Sequence, residues 1–259
     1  AAPYAFATTD PNVGMARVPD PRLDALAEMS KSKNVVPATV QFVDIGGLVA
    51  GASKGEGLGN KFLSHIREVD AIIFVLRAFA DDDVPGPSDP LEHLGIVELE
   101  LTYADLETVE NQIEKRRKAA KGDKSLLDEV AALDKAKAVL EAGTPIYRSD
   151  LKDDDRALLR SYFLLTNRPV MALVNVAEDQ LDDMEAAVAP VRAELAGRAE
   201  VIGMCVQLEA EAAMLDADER AEMLEGLGLG EGALPTFLHA AYKLLGLRTF
   251  LTTGEKESR

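Results

Sequence analysis

Two nearly continuous apolar runs constrain this chain more than any other feature: AIIFVLRAF (71–79) and PVMALVNV (169–176). A strand with one wet face alternates apolar and polar residues. A run that is apolar at every position suits a parallel strand covered on both faces. ATVQFVD (38–44) and EVIGMCV (200–206) read as companion strands. Helical patterns lie between them. Phe62 and Ile66 are four apart, and DQLDDMEAAVAPVRAELAG (179–197) predicts a helix kinked at Pro190 and ended near Gly197. Strands alternating with helices imply a mostly parallel α/β sheet with right-handed crossovers.

One connection is far longer than a crossover needs. From about 91 to 166 the pattern is almost all helical, with Leu99, Leu106, Val109 and Ile113 at helical spacing. Gly122 and Asp123 break it. Ser125 then offers an N-cap for LLDEVAALDKAKAVLEAG, which ends at Gly143 and Pro145. Two amphipathic helices joined by a short polar turn predict a helical hairpin, an antiparallel coiled coil standing off the α/β domain. The expected organisation is 1–90, the hairpin insert 91–166, and 167–259 as the second α/β part with C-terminal helices.

The formal net charge of −17 argues against broad binding to a nucleic-acid backbone, which needs Lys and Arg to release counterions, and no DNA partner is expected. KRRKAAKGDK (115–124) is the local exception, and Lys115 to Lys121 is the part of the hairpin expected to meet a partner; the charged flanks read as solvated. Cys205 is the sole cysteine, so no disulfide forms within the chain and a reducing compartment fits. No apolar run approaches membrane-spanning length and no signal peptide is visible. The chain reads as soluble and cytoplasmic, without a membrane partner. It opens on AAPYAFATTD without an initiator Met and stops at TTGEKESR, which reads as a segment of a longer protein.

The chemistry concentrates at strand ends. In VDIGGLVAGASKGEGLGNKF (43–62), Asp44 ends a strand and a glycine-rich loop follows. In open α/β sheets, ligands bind at the carboxyl ends of strands. Asp44 three residues before Gly47 is the pattern of a switch loop in nucleotide hydrolases: the Asp supports Mg²⁺, and a Gly amide approaches the terminal phosphate without a Cβ in the way. The plainer reading is a strand-ending Asp and a glycine turn. Thr8 and Thr9, in the non-periodic stretch FATTDPNVG, offer a hydroxyl to complete a Mg²⁺ shell. NVAED carries Asn175 and Glu178 at the spacing of the guanine-reading motif Asn-Lys-x-Asp, with Val176 replacing Lys and Glu178 replacing Asp. A longer carboxylate misplaces the acceptors that guanine needs. A strand-end Asn before an acidic helix start is the structural alternative. Cys205 and Val206 open CVQLEAE, expected as a loop closing over the base. Cys205 lacks an identifiable His partner, so a buried strand cysteine is the better reading. His65 and His239 read as structural, and no zinc-binding cluster of His and Cys exists.

Together these stretches make the chain resemble the YchF/Obg-like ATPase family, in the Obg branch of P-loop NTPases. The resemblance rests on AAPYAFATTDPNVG, VPDPRLDALAE, VPATVQFVDIGGLVAGASKGEGLGNKFLSHIREVDAI, ADLETVE, NVAED and AAYKLLGLRTFLTTGEKESR. It implies a P-loop NTPase-like G-domain carrying a helical hairpin, with 44–59 as its second switch loop. It implies Thr8 and Asp44 as the Mg²⁺ residues, Gly47 at the γ-phosphate, and Asn175, Val176, Glu178, Cys205 and Val206 around the base. It implies ATP as the substrate, favoured over GTP, and the ribosome, on its large subunit, as partner. Leu48 stands where Ras-like enzymes place a water-orienting Gln, which implies slow or partner-stimulated hydrolysis. The sequence departs from the family in holding no GxxxxGK[ST] motif and no C-terminal TGS domain. The loop DDDVPGPSDP (81–90) lacks the family's His, and His93 follows soon after without a clear equivalence. The expected function is a Mg-dependent, ribosome-associated ATPase, with a catalytically inactive module docking through the hairpin as the alternative.

Overall fold

The computed structural model describes residues 12–44, 66–81 and 86–259. Thr8, Thr9, Gly47, Leu48, Phe62 and His65 lie outside the described residues. The described chain opens with strand β1 (Asn12–Arg17), helix α1 (Pro21–Ser30), the short strand β2 (Asn34–Val35) and strand β3 (Thr39–Asp44). Asp20 caps α1: its carboxylate accepts the Arg22 N–H and both forks of the Arg22 guanidinium. Pro21 occupies the first turn, where its missing N–H costs nothing.

β1 and β3 pair antiparallel, with Asn12 opposite Asp44. The stretch read as non-periodic thus ends in a strand. β3 is not the buried parallel strand that was expected. Only Val40 is buried, while Thr39, Gln41 and Asp44 are exposed. The reason is legible in TVQFVD: Val40 and Phe42 share one side and Gln41 the other, the alternation of a one-faced strand. Phe42 stacks on Phe237 at 5.6 Å between ring centroids.

The central sheet is parallel, in the order β4 (Ile72–Arg77), β5 (Val170–Asn175), β6 (Glu200–Met204). β5 is buried from Val170 to Val174, as its unbroken apolar run requires. β4 is covered less completely: Val75 is 59% exposed, and among the described residues β4 is hydrogen-bonded on one side only. Side chains of β5 alternate between two cores. Val170, Ala172 and Val174 join Leu94, Leu101, Val188 and Val191 on one face; Met171 meets Ala240 and Ala241 on the other.

The first face is covered by helix α2 (Pro90–Ala120) and, later in the chain, by α5 (Met184–Leu195), with Pro190 inside it. α2 crosses between cores. Leu94, Leu101 and Ala104 pack against the sheet, whereas Val109 and Ile113 pack on α3 (Leu127–Glu141) through Ala132, Leu133, Ala136 and Leu140. The boundary expected at 91 therefore falls in the helix's first turn, where it still belongs to the sheet. Ion pairs Glu110–Lys137 (3.0 Å) and Arg117–Asp134 (2.7 Å) run in opposite order along α2 and α3, so the hairpin is antiparallel. It is not a bare coiled coil: Ile146, Leu159, Tyr162 and Leu164 close its core from a third side. Ser125 does not cap the second helix, whose N-cap residue is Leu126 with no side-chain hydrogen bond; the capping side chain lies one turn earlier, at Asp123. The Asp123 carboxylate accepts the Ser125 N–H and hydroxyl, and a 3-10 turn (Lys124–Leu126) precedes α3.

The hairpin's root is held by polar groups. Glu98 on α2 accepts the Tyr147 hydroxyl and the Arg148 guanidinium, and Arg148 also reaches Glu194 on α5. Burial, then the adjacent Glu98, pushes the Tyr147 hydroxyl's pKa far up. The short helices α4 (Asp153–Leu158), α6 (Val206–Ala212) and α7 (Ala217–Gly226) follow in turn, and α8 (Leu234–Leu244) covers the second sheet face. The tail ends in β7 (Glu257–Ser258), parallel to β2, with the Ser258 hydroxyl buried between Ser32 and Thr253.

Gly203 shows how closely α5 sits on β6. A Cβ there would lie 2.5 Å from Met184 Sδ and 2.6 Å from Val188 Cγ2. Gly203→Ala is expected to lower stability by about 1–3 kcal/mol through overpacking, read from the urea midpoint; an unchanged midpoint would mean that α5 moves freely off the sheet.

Candidate functional site

The three parallel strands end in one row: Arg77, Asn175 and Met204 are register partners at their carboxyl ends. The loops that leave this row are tied together. Asn175 Oδ1 accepts the Val206 N–H at 3.1 Å. The Asn175 carbonyl accepts from Ala78, and the Met204 carbonyl accepts from Val176. Gln180 adds a further clamp, its Oε1 accepting the Ala177 N–H (2.8 Å) and its Nε2 donating to the Ala78 carbonyl (2.9 Å). The side chain of Asn175 thus ties the end of β5 to the start of the next element, and its amide nitrogen forms no hydrogen bond with a described residue.

Asn175 and Val206 are in direct contact, and Val176 and Cys205 adjoin them. Val176 is 1% exposed and Cys205 5% exposed, so both side chains belong to the apolar core beneath the site. Glu178 is exposed at the start of a 3-10 turn, Glu178–Asp183. CVQLEAE is not a loop: Cys205 is the N-cap of α6, and the helix begins at Val206. A strand that runs straight into a helix leaves no residues to form a closing flap. Asp44 lies at the end of β3, exposed, in the separate antiparallel pair.

Gln180 and Arg77 join the site without a sequence expectation, and His93, which had no assigned role, gains one. Gln180 stands at the third position of its turn, the spacing at which a Gln reaches back to the preceding backbone, and that signal was available. Arg77 ends β4 with its guanidinium donating to the Gly86 and Pro87 carbonyls. His93 on α2 accepts the Arg77 N–H through Nδ1 at 3.4 Å. Burial, reinforced by the Arg77 guanidinium, lowers the His93 pKa below its ordinary value, against a hydrogen bond with the Pro87 backbone. His93 is a neutral clip that holds the 86–89 loop, with its ring engaged by backbone groups. Among the described residues, no group of three or more His, Cys, Asp or Glu is placed to hold a metal ion.

A family model described as a 50S ribosome-binding GTPase matches residues 1–175. The ribosome-binding ATPase YchF of Bacillus subtilis is 45% identical over 265 residues, covering the whole of this chain and 72% of the relative. The protein of that name from Pasteurella multocida is 46% identical over the same shares. The structure of the Schizosaccharomyces pombe YchF GTPase superposes with a TM-score of 0.81 at 35% identity, again covering this whole chain and 72% of the other. With a G-domain fold, a hairpin insert and relatives of this closeness along its full length, the chain belongs to the YchF family of Obg-like P-loop NTPases.

Proposed function

We propose that this chain is the core of a ribosome-associated ATPase that binds ATP in preference to GTP with Mg²⁺. The observation that carries the reading is the Asn175–Val206 bond (3.1 Å), which joins the end of β5 to the first turn of α6 in one rim at the carboxyl edge of a parallel sheet, the edge where such sheets bind ligands. The names of its relatives, ribosome-binding ATPases, agree with it. Asn175 and Glu178 face the base, while Val176 and Cys205 support the rim from the core. Gly47 meets the γ-phosphate.

The donor set fits magnesium. Mg²⁺ at a nucleotide is held by one or two protein oxygens, the phosphates and water rather than by a dedicated protein cage. Asp44, exposed at its strand end, supplies one such oxygen, and Thr8 is assigned the other. Bound there, the ion would offset charge on the phosphate oxygens. Asp44 holds it, and Asn175 fixes the base rim. The ribosomal partner is the large subunit, and the setting is the cytosol; among the described residues no helix is long and apolar enough to cross a membrane.

The test is a titration with fluorescent ATP and GTP, with and without Mg²⁺. Expected is ATP binding that is tighter than GTP binding and weakened by Asp44→Ala about tenfold or more only when Mg²⁺ is present. Equal weakening without the metal would remove Asp44 from the ion. Binding of neither nucleotide would leave the interaction-module reading in its place.

A further inference from the structure

We infer that the free end of the helical hairpin is a contact for the phosphate backbone of folded RNA, and that its occupant is ribosomal RNA. The inference deepens the ribosome-associated reading above and rests on it. Six of the chain's 28 Lys and Arg fall within residues 115–124, against a single Asp, in a protein whose formal net charge is −17. The structure divides these six cations into two kinds. Arg116 and Arg117 are turned back into the hairpin. Arg116 Nε donates to the Tyr162 hydroxyl at 2.8 Å, and its guanidinium lies 5.6 Å from the centre of that ring; Arg117 donates to Asp134 at 2.7 Å. Lys115, Lys118, Lys121 and Lys124 are exposed and form no ion pair with a described residue.

Asp123, the one acid among them, forms no ion pair with these lysines and offsets at most one of the six positive charges. Its carboxylate is occupied by the Ser125 N–H and hydroxyl, and those hydrogen bonds hold its pKa below the ordinary value. Lys115, Lys118 and Lys121 recur every three residues at the end of α2, so they stand one above another along one side. Lys124 follows across the turn. Cations in the last helical turn are favoured by the helix dipole, but that effect fades beyond one turn. It accounts for Lys118 and Lys121 and not for Lys115 or Lys124. From Thr108, which bonds the backbone below the tip, to Ala120 the helix advances roughly 18 Å, so the lysines stand clear of the acidic body.

The chemistry selects the partner. Four unpaired ammonium groups on flexible stems suit phosphate oxygens, and residues 115–124 contain no aromatic side chain on which an unstacked base could rest. The contact is therefore with the backbone of folded RNA, indifferent to sequence and sensitive to salt. The acidic remainder of the chain turns RNA away, so approach is end-on through the tip.

The test uses the full chain and a variant with Lys115, Lys118, Lys121 and Lys124 all changed to Gln, with all four changed to Arg as a companion. Binding to purified large ribosomal subunits and to protein-free large-subunit RNA is measured between about 50 and 200 mM salt. Expected is a loss of at least tenfold in affinity for both probes at low salt in the Gln variant. The log–log salt slope should become shallower by about three, with recovery in the Arg variant and unchanged ATP affinity and thermal midpoint. Equal binding and equal slope in the Gln variant would overturn the inference and leave ribosome association standing. Loss on subunits with no binding of the intact chain to bare RNA would assign the tip to an acidic ribosomal protein instead, also overturning it. An intact chain that binds neither probe removes the ribosome reading itself.

Discussion

Asp105→Ala lowers the unfolding free energy by about 3–5 kcal/mol and the thermal midpoint by roughly 10 °C or more. Asp105 is fully buried in the middle of α2. Its carboxylate accepts the backbone N–H groups of Leu165 (2.8 Å) and Thr166 (2.7 Å) and the Thr166 hydroxyl (2.7 Å). The hydroxyl can turn away when the carboxylate is removed; the two backbone donors cannot, and each unpaired donor in a dry site costs about 1–3 kcal/mol. A turn further along, Thr108 accepts from Arg67 at 3.0 Å, and Arg168 donates to the Arg67 carbonyl. One stretch of α2 thus grips both the segment that enters β4 and the segment that enters β5, so the loss spreads through the sheet. Burial, the largest influence, raises the Asp105 pKa above 3.8, against the hydrogen bonds from Thr166 and Leu165. The folded state then holds the proton more tightly than the unfolded chain. The proton-linked part of this group's stabilisation is complete below the unfolded pKa and is lost as pH rises through the folded one, whereas the cost of the two orphaned N–H groups in the Ala variant is present on both sides. Urea unfolding across the acidic range should show that slope in the intact protein and not in the Ala variant. An unfolding free energy within about 0.5 kcal/mol of the intact protein's would mean that water replaces the carboxylate.

The parallel sheet was legible because its signal is local. β5 is apolar and buried from Val170 to Val174, as a strand between two layers must be. The hairpin was legible from period and breakers alone. What stayed hidden depends on contacts distant in sequence. Asp105 lies within the quoted stretch ADLETVE, yet it reads as one more polar position on a solvated helix; only the fold brings residues 165 and 166 onto it. β2 and β7 are two residues each and pair across more than 220 positions, too short for any periodic pattern. β1 is short and carries a central Gly14, and its apolar Val13 and Met15 are exposed rather than packed on a core, so no buried face marks it. The apolar content of β3 suggests a strand covered on both faces, whereas its alternation, Val40 and Phe42 against Gln41, marks a strand with one covered face. At the candidate site the pairing of NVAED with CVQ followed from both lying at strand ends. The loop expected at CVQLEAE became a helix because no Gly or Pro in that stretch prevents one from starting at Val206.

Glu178→Asp shifts nucleotide preference toward GTP by about 10- to 100-fold, the equivalent of one charge-assisted hydrogen bond of roughly 1.5–3 kcal/mol. Guanine presents two neighbouring donors, the ring N–H and the amino group, which one carboxylate accepts when it stands at the right depth. Glu178 reaches one methylene further than Asp from the same exposed turn, whose start Gln180 fixes against Ala177 and Ala78. Shortening the side chain without moving the backbone returns the acceptors toward the guanine edge. Adenine offers an amino donor beside a ring acceptor, so a carboxylate brought squarely to that edge gains one contact and opposes another, and ATP binding weakens. Completing the guanine-type motif with Val176→Lys is the wrong experiment: Val176 is 1% exposed in the core, and an ammonium there costs stability before it touches a base. Asn175→Ala supplies the control. It releases the Val206 N–H from Oδ1, frees the end of β5 from the start of α6, and weakens ATP and GTP alike. Competition between the two fluorescent nucleotides reads the ratio directly. A ratio unchanged by Glu178→Asp but a general loss on Asn175→Ala would leave the base rim in place and remove Glu178 from the base edge.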